Sequence, residues 1–268
     1  VKKIIGFNQG QYGDLCMNVV ACRAVKRDHP NSDLYLGINK RYQSLKEIFL
    51  YNNLIDNIHI WDQYNNWPSD IDKEYLREQK FDMAFNPMPK HSSEDWYLYR
   101  HQTEEVCLMH GIIPPNDLTV TFNKYFETKR YNKYVAVNLF AETRSSDKTP
   151  DLQQSINIVN LIKSLGYIPV QIGLPEQPQI CDNQFFGSFF ETIKFVLSCN
   201  FLVTVDSAIA WIASGYSFPV VGIYAYSYYT GATTSKNWQP INKNALYIEK
   251  YRISDITTYD IEQAIQLI

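Results

Sequence analysis

"FLVTVDSAIAWIASGYSFPVVGIY", residues 201 to 224, reads as a strand, a short polar turn, a helix of small and apolar residues, and a second strand. The runs at 201–205 and 218–224 are apolar and rich in Val, Ile and Phe, the pattern of strands buried on both faces. Asp206 and Ser207 interrupt the apolar run where the helix has to begin. Strands joined through a helix lie parallel, so the stretch predicts a βαβ unit and an α/β fold. Asp206-Ser207 is then either a helix cap or a place that holds a charged ligand, and the residues alone support both.

The same grammar runs outward in both directions. Upstream stand "YVAVNLF" (134–140), a helix over about 151–165, "YIPVQIG" (167–173) and a helix near 189–198; downstream the chain closes with the amphipathic "DITTYDIEQAIQLI". The first half repeats it with "KKIIGFN" (2–8), "DLYLGI" (33–38), "IDNIHIW" (55–61) and "FDMAFNP" (81–87). Between the first two of these, "LCMNVVACRAVKRDHP" carries helical apolar spacing and stops at Pro30. A further helix is expected over 92–110. "IPPNDL" and "YFETKRYNK", between 113 and 133, break the rhythm and mark a connection. The expectation is two Rossmann-like parallel-sheet domains, 1–130 and 131–268, facing one another across a cleft with the ligand near the strand C-termini.

Composition narrows the function. With 268 residues and 45% hydrophobic content, the chain is long enough for one large domain or two ordinary ones. Lys and Arg number 25 against 28 Asp and Glu, a net charge of −3 that leaves no footprint for nucleic-acid or anionic-membrane binding. The five cysteines lack close-spaced pairs and sit in apolar segments, as reduced core residues do. No secretory h-region precedes "KKIIGFN" and no apolar stretch reaches transmembrane length, so a cytoplasmic protein without a membrane span is expected. The 20 tyrosines suit half-buried surface positions and decide little.

The motifs exclude several chemistries. Gly6, Gly10 and Gly13 do not fit the dinucleotide G-x-G-x-x-G spacing, and no P-loop or G-x-S-x-G elbow is present. Asp70 and Asp72 form a D-x-D, but between "WPS" and "KEYLRE" it reads as a charged helix start. His29, His59, His91, His101 and His110 show no ligand spacing, so neither a metal nor a cofactor is expected. What stands out is Gly13-Asp14 at a helix start, where a carboxylate caps or catalyses. Beside it stands "AETRSSDKTPD", whose Arg144 and Lys148 can neutralise a diphosphate.

Taken in order, "GQYGDLCMNVVACRAVKRDHPNSDLYL", "AETRSSDKTP", "YIPVQIG", "FLVTVDSAIAWIAS" with "FPVVGIY", and "WQP" at 238–240 resemble the ADP-heptose:lipopolysaccharide heptosyltransferases, glycosyltransferases of the GT-B fold (family 9). The resemblance spans most of the chain. It implies transfer of a heptose or hexose from a nucleotide-diphosphate sugar to an acceptor hydroxyl by an inverting, metal-independent mechanism. By resemblance Asp14 is the general base and Gln11, Tyr12 and Gly13 face the acceptor, a glycan or another hydroxyl compound. Thr143, Arg144, Lys148, Gly173, Asp206, Ser207, Ala208 and Trp211 are implied to hold the donor. Ala208 stands where the family has glycine and Trp211 where it has histidine. Those departures keep open a noncatalytic nucleotide- or glycan-binding protein that retains the fold.

Overall fold

The structure is a computed structural model that describes residues 1–7, 12–50, 54–61, 77–78, 80–85, 100–109, 111–122, 130–140, 148–227 and 232–268. The chain divides into two compact units, Val1–Lys124 and Tyr125–Ile268.

In the first unit, β1 (Lys3–Phe7) leads to α1 (Tyr12–Asp28) and β2 (Asp33–Asn39). A 3-10 turn (Lys40–Leu45), α2 (Lys46–Leu50), β3 (Asn57–Trp61), β4 (Met83–Phe85) and α3 (Gln102–Met109) follow. The sheet runs β3-β2-β1-β4 with every pairing parallel, Ile5 lying opposite Tyr35 on one side and Ala84 on the other. α1 is buried almost all round, from Leu15 through Cys22 and again at Ala24 and Val25, and so serves as the core element of this unit. Asp14 in its first turn and Lys26 and Arg27 in its last match the helix dipole. Its outer residues are tied down as well. Lys26 Nζ reaches Asp56 at 2.7 Å and the Ser32 carbonyl at 2.6 Å. Arg23 donates to the carbonyls of Asp117 (2.9 Å) and Thr119 (2.8 Å), holding that extended segment along the helix.

The second unit follows β5 (Tyr134–Asn138), α4 (Leu152–Ser164), β6 (Ile168–Ile172), β7 (Asn183–Phe185), α5 (Phe189–Ser198) and β8 (Phe201–Val205). It continues through α6 (Ala208–Gly215), β9 (Val220–Ala225), β10 (Ala245–Lys250), a 3-10 turn (Ile253–Asp255) and α7 (Thr258–Leu267). All strands are parallel in the order β10-β9-β8-β5-β6-β7. On one face Val135, Val137, Val203, Val205, Val221 and Ile223 pack with Ile158 and Ile162 of α4 and Ile261 and Ile265 of α7. The helix starts are the expected ones. Asp151 caps α4 by accepting from the Gln154 N–H at 2.7 Å, while Ser188 with Glu191 and Thr257 with Asp260 form capping boxes on α5 and α7.

The α/β class and parallel sheets expected from the sequence are therefore present, in the Rossmann order for the second unit. Two strands lie outside that expectation. β7 is only "NQF", and β10, "ALYIEK", is an edge strand of partly exposed residues with two charged members, so neither shows an apolar run. Of the helix expected over 92–110, Gln102–Met109 is helical, whereas Arg100 and His101 precede the helix and are not part of it; residues 92–99 and His110 lie outside the described residues.

Candidate functional site

The second sheet fixes where a site can form. The chain builds outward from β5 through β6 to β7, then crosses back and builds outward on the other side through β8, β9 and β10. Direction reverses between β5 and β8, and in such sheets the loops leaving the two strands part at their carboxyl ends and leave room for a ligand. The residues that close β5 and follow β8 are Asn138, Asp206 and Ser207.

These side chains divide the work that the sequence left undecided. Ser207, with extended backbone, is the N-cap of α6, although its bond from the Ala210 N–H is long at 3.5 Å. Its hydroxyl is held more firmly by Asn138 Nδ2 at 3.2 Å and by the Thr204 hydroxyl at 3.0 Å. Asn138 and Thr204 are themselves buried and lie opposite one another in the β5–β8 register. A buried polar pair thus fixes the point where α6 begins, with its first N–H groups lacking partners within the helix. Asp206 instead pairs with Lys148, Nζ to Oδ2 at 2.6 Å, the two side chains 18% and 19% exposed respectively. At that exposure the attraction is neither screened as at the surface nor as costly to desolvate as in a dry core. A cation, a carboxylate and a helix N-terminus therefore meet at the carboxyl edge of the sheet. Such a group can bind a phosphate through the cation and amides and sugar hydroxyls through the carboxylate.

Ala208 is the first residue of α6, while Trp211 in the same helix is 3% exposed, so its indole is mostly packed away. Gly173 follows β6 at the same sheet edge with φ +155°, and a side chain there would strike Gln177. The space serves the turn: Gln177 accepts from the Leu174 N–H at 3.1 Å and donates to the Phe140 carbonyl at 3.4 Å, tying the end of β6 to that of β5. Thr143 and Arg144 lie outside the described residues, as do Gln11, His91 and the Asp70–Asp72 pair.

In the first unit Asp14 is half-buried in the first turn of α1, where its charge adds to burial in pushing the Cys16 thiol up. Gly13 precedes it. Tyr12 bonds its hydroxyl to that of Ser44 at 3.2 Å and meets the Tyr42 ring edge-on at 4.8 Å. This locks the turn after β2 onto the start of α1. All five cysteines are free and buried, and desolvation pushes Cys22, Cys107, Cys181 and Cys199 up to about 12, far from thiolate chemistry. Among the described residues no three His, Cys, Asp or Glu side chains gather as metal ligands, and no helix is long and apolar enough to cross a membrane.

Sequence reasoning missed Asn138 and Thr204, although each is the polar residue of an otherwise apolar strand. It also missed Glu249 at the carboxyl end of β10. That carboxylate accepts from Thr234 (2.9 Å), from the Ser235 N–H (2.8 Å) and hydroxyl (2.6 Å), and from Gln239, so it anchors the segment holding the "WQP" motif. Burial would raise the Glu249 carboxyl, but the bonds from Ser235 and Thr234 outweigh it and hold it below the usual range.

No family model matches the chain, and no curated protein sequence does. Solved structures do. Escherichia coli ADP-heptose LPS heptosyltransferase II is 13% identical and superposes with a TM-score of 0.73 over 99% of this chain and 98% of its own. The family 9 glycosyl transferase of Veillonella parvula is 15% identical, with a TM-score of 0.76 over 99% and 96%. Escherichia coli heptosyltransferase WaaC, in a structure with ADP, is 11% identical, with a TM-score of 0.67 over 99% of both chains. The chain thus has the fold of the family 9, heptosyltransferase-like glycosyltransferases, and the fold resemblance drawn from its motifs holds over nearly its whole length.

Proposed function

We propose that this protein is a glycosyltransferase that moves a sugar, a heptose or hexose, from a nucleotide-diphosphate donor to an acceptor hydroxyl with inversion and without a metal. The observation that carries the reading is the Lys148–Asp206 pair beside the Ser207-capped start of α6, at the reversal point of a Rossmann-ordered sheet. The second unit takes the donor. Lys148, with Arg144 and Thr143 shortly before it in the sequence, neutralises the diphosphate; the first amides of α6 at Ala208 add partial positive charge; Asp206 orients hydroxyls of the sugar or ribose. Gly173 and Trp211 are assigned to the donor side by the family resemblance.

The first unit takes the acceptor. Gln11, Tyr12 and Gly13 place its hydroxyl, and Asp14 accepts the proton as the oxygen attacks the anomeric carbon. The bond from that carbon to the diphosphate oxygen breaks with its electron pair, and the departing charge falls on Lys148, Arg144 and the α6 amides. Inversion follows from a single displacement. The chemistry assigns no role to a metal or an organic cofactor, and the nucleotide sugar is a co-substrate.

A thermal-shift panel of nucleotide-diphosphate sugars tests the reading. The right donor at 100 times its Kd stabilises by about 2.7 kcal/mol, roughly a 5 °C rise or more for a chain of this size. Matching nucleotide monophosphates should give smaller shifts. A panel in which no diphosphate sugar raises the melting temperature would dismiss the donor site. Binding without release of nucleoside diphosphate in the presence of acceptors would favour the noncatalytic alternative.

A further inference from the structure

The strand register sets three polar residues in a row across the carboxyl edge of the second sheet. Tyr224 of β9 lies opposite Glu249 of β10, and Asp206 follows Val205, whose partner is Ile223, so it stands beside Tyr224. A side chain at Gly222 would run into the rings of both Tyr247 and Tyr224, which places those rings on one face, where the Tyr247 hydroxyl reaches Ser214 of α6 at 3.2 Å. Tyr224 is 1% exposed, and its hydroxyl has no hydrogen-bond partner among the described residues. A buried phenol in that state is costly, and such groups call for a role or a bridging water.

The register sets two carboxylates beside Tyr224. Glu249 is already committed to Thr234, Ser235 and Gln239. Asp206 is bonded to Lys148 through Oδ2, which leaves Oδ1 to accept. Burial first, then the Asp206 charge and Tyr247, push the ionisation of the Tyr224 phenol well up, so the hydroxyl keeps its proton and acts as a donor.

We propose that Tyr224 is a positioning residue for Asp206, its hydroxyl donating through one buried water to the carboxylate oxygen that Lys148 does not hold. With Lys148 on one oxygen and the water on the other, the carboxylate has a single orientation toward whatever binds at the start of α6. The benefit to a nucleotide sugar rests on the donor-site reading, whereas the contact itself does not.

A double-mutant cycle on urea unfolding of the full chain decides the contact. Tyr224→Phe keeps the ring and removes the hydroxyl, and its effect on the unfolding constant should change by roughly fivefold or more when Asp206 is alanine. Tyr247→Phe, which deletes the neighbouring hydroxyl, should be additive with Asp206→Ala. Where Asp206→Ala does not fold, Asp206→Leu, close in shape and without an acceptor, closes the cycle with the same criterion. Coupling below that size between Tyr224 and Asp206 overturns the proposal. A packing role for the ring alone would leave ligand affinity untouched, so calorimetry with ADP, run well below the melting transition of both proteins, supplies the second readout: Tyr224→Phe is expected to weaken ADP severalfold, and equal affinity would contradict the positioning role. The unfolding cycle needs no ligand. Failure of every nucleotide to bind would therefore remove the donor reading, while the coupling between Tyr224 and Asp206 would still decide the contact.

Discussion

Asp14→Asn is expected to lower turnover by about 10² to 10⁴ while leaving nucleotide-sugar affinity within about a factor of two of the parent. The substitution is nearly isosteric and removes only the charge that accepts the proton. Because Asp14 is half-buried in the first turn of α1, it also interacts with the helix dipole, a contribution of about 0.3–1 kcal/mol, so a small fall in melting temperature is part of the same expectation. Steady-state rates at saturating donor and acceptor check the prediction. Near-parent turnover would remove Asp14 from the role of base, and a parallel loss of donor affinity would reduce it to a structural cap.

Lys148→Met carries the second large effect, and it acts on two quantities at once. Loss of a charge-assisted contact to the diphosphate should weaken the donor by about 10- to 100-fold. The same change strands the Asp206 carboxylate, which is 18% exposed and loses its 2.6 Å partner. An exposed pair would cost at most about 1 kcal/mol and a fully buried one about 3–5 kcal/mol, so about 1–3 kcal/mol of stability should go. Adding Asp206→Asn removes the stranded charge, and the double variant should regain stability without regaining affinity. Urea unfolding and calorimetry separate the two effects. If the double variant were no more stable than Lys148→Met, the ion pair would not be the cause; if donor affinity were unchanged, Lys148 would not touch the diphosphate.

Much of the fold was legible because apolar runs of strand length alternate with helical spacing, most clearly from Phe201 to Tyr224. β7 and β10 escaped because one is three residues long and the other is a half-exposed edge. The site was legible as residue types but not as an arrangement. Asp206 and Ser207 stood out as a pair, yet which of them caps α6 depends on partners far away in the chain: Lys148 for Asp206 and Asn138 for Ser207. Such contacts exist only once parallel strands have brought β5 beside β8. Asn138 and Thr204 gave a weak local signal as single polar residues in apolar strands. Glu249 gave none, because its meaning comes from a loop that returns to it after β9.

Where a nucleoside diphosphate touches this chain is the most direct test of the donor site. Titrating the isotope-labelled protein with the nucleoside diphosphate that gives the largest thermal shift, and following backbone amide resonances, reads this out residue by residue. The prediction is that Asp206, Ser207, Ala208 and Ile209 at the start of α6 shift together with Lys148. Saturable shifts that leave these five unmoved and fall elsewhere would contradict it.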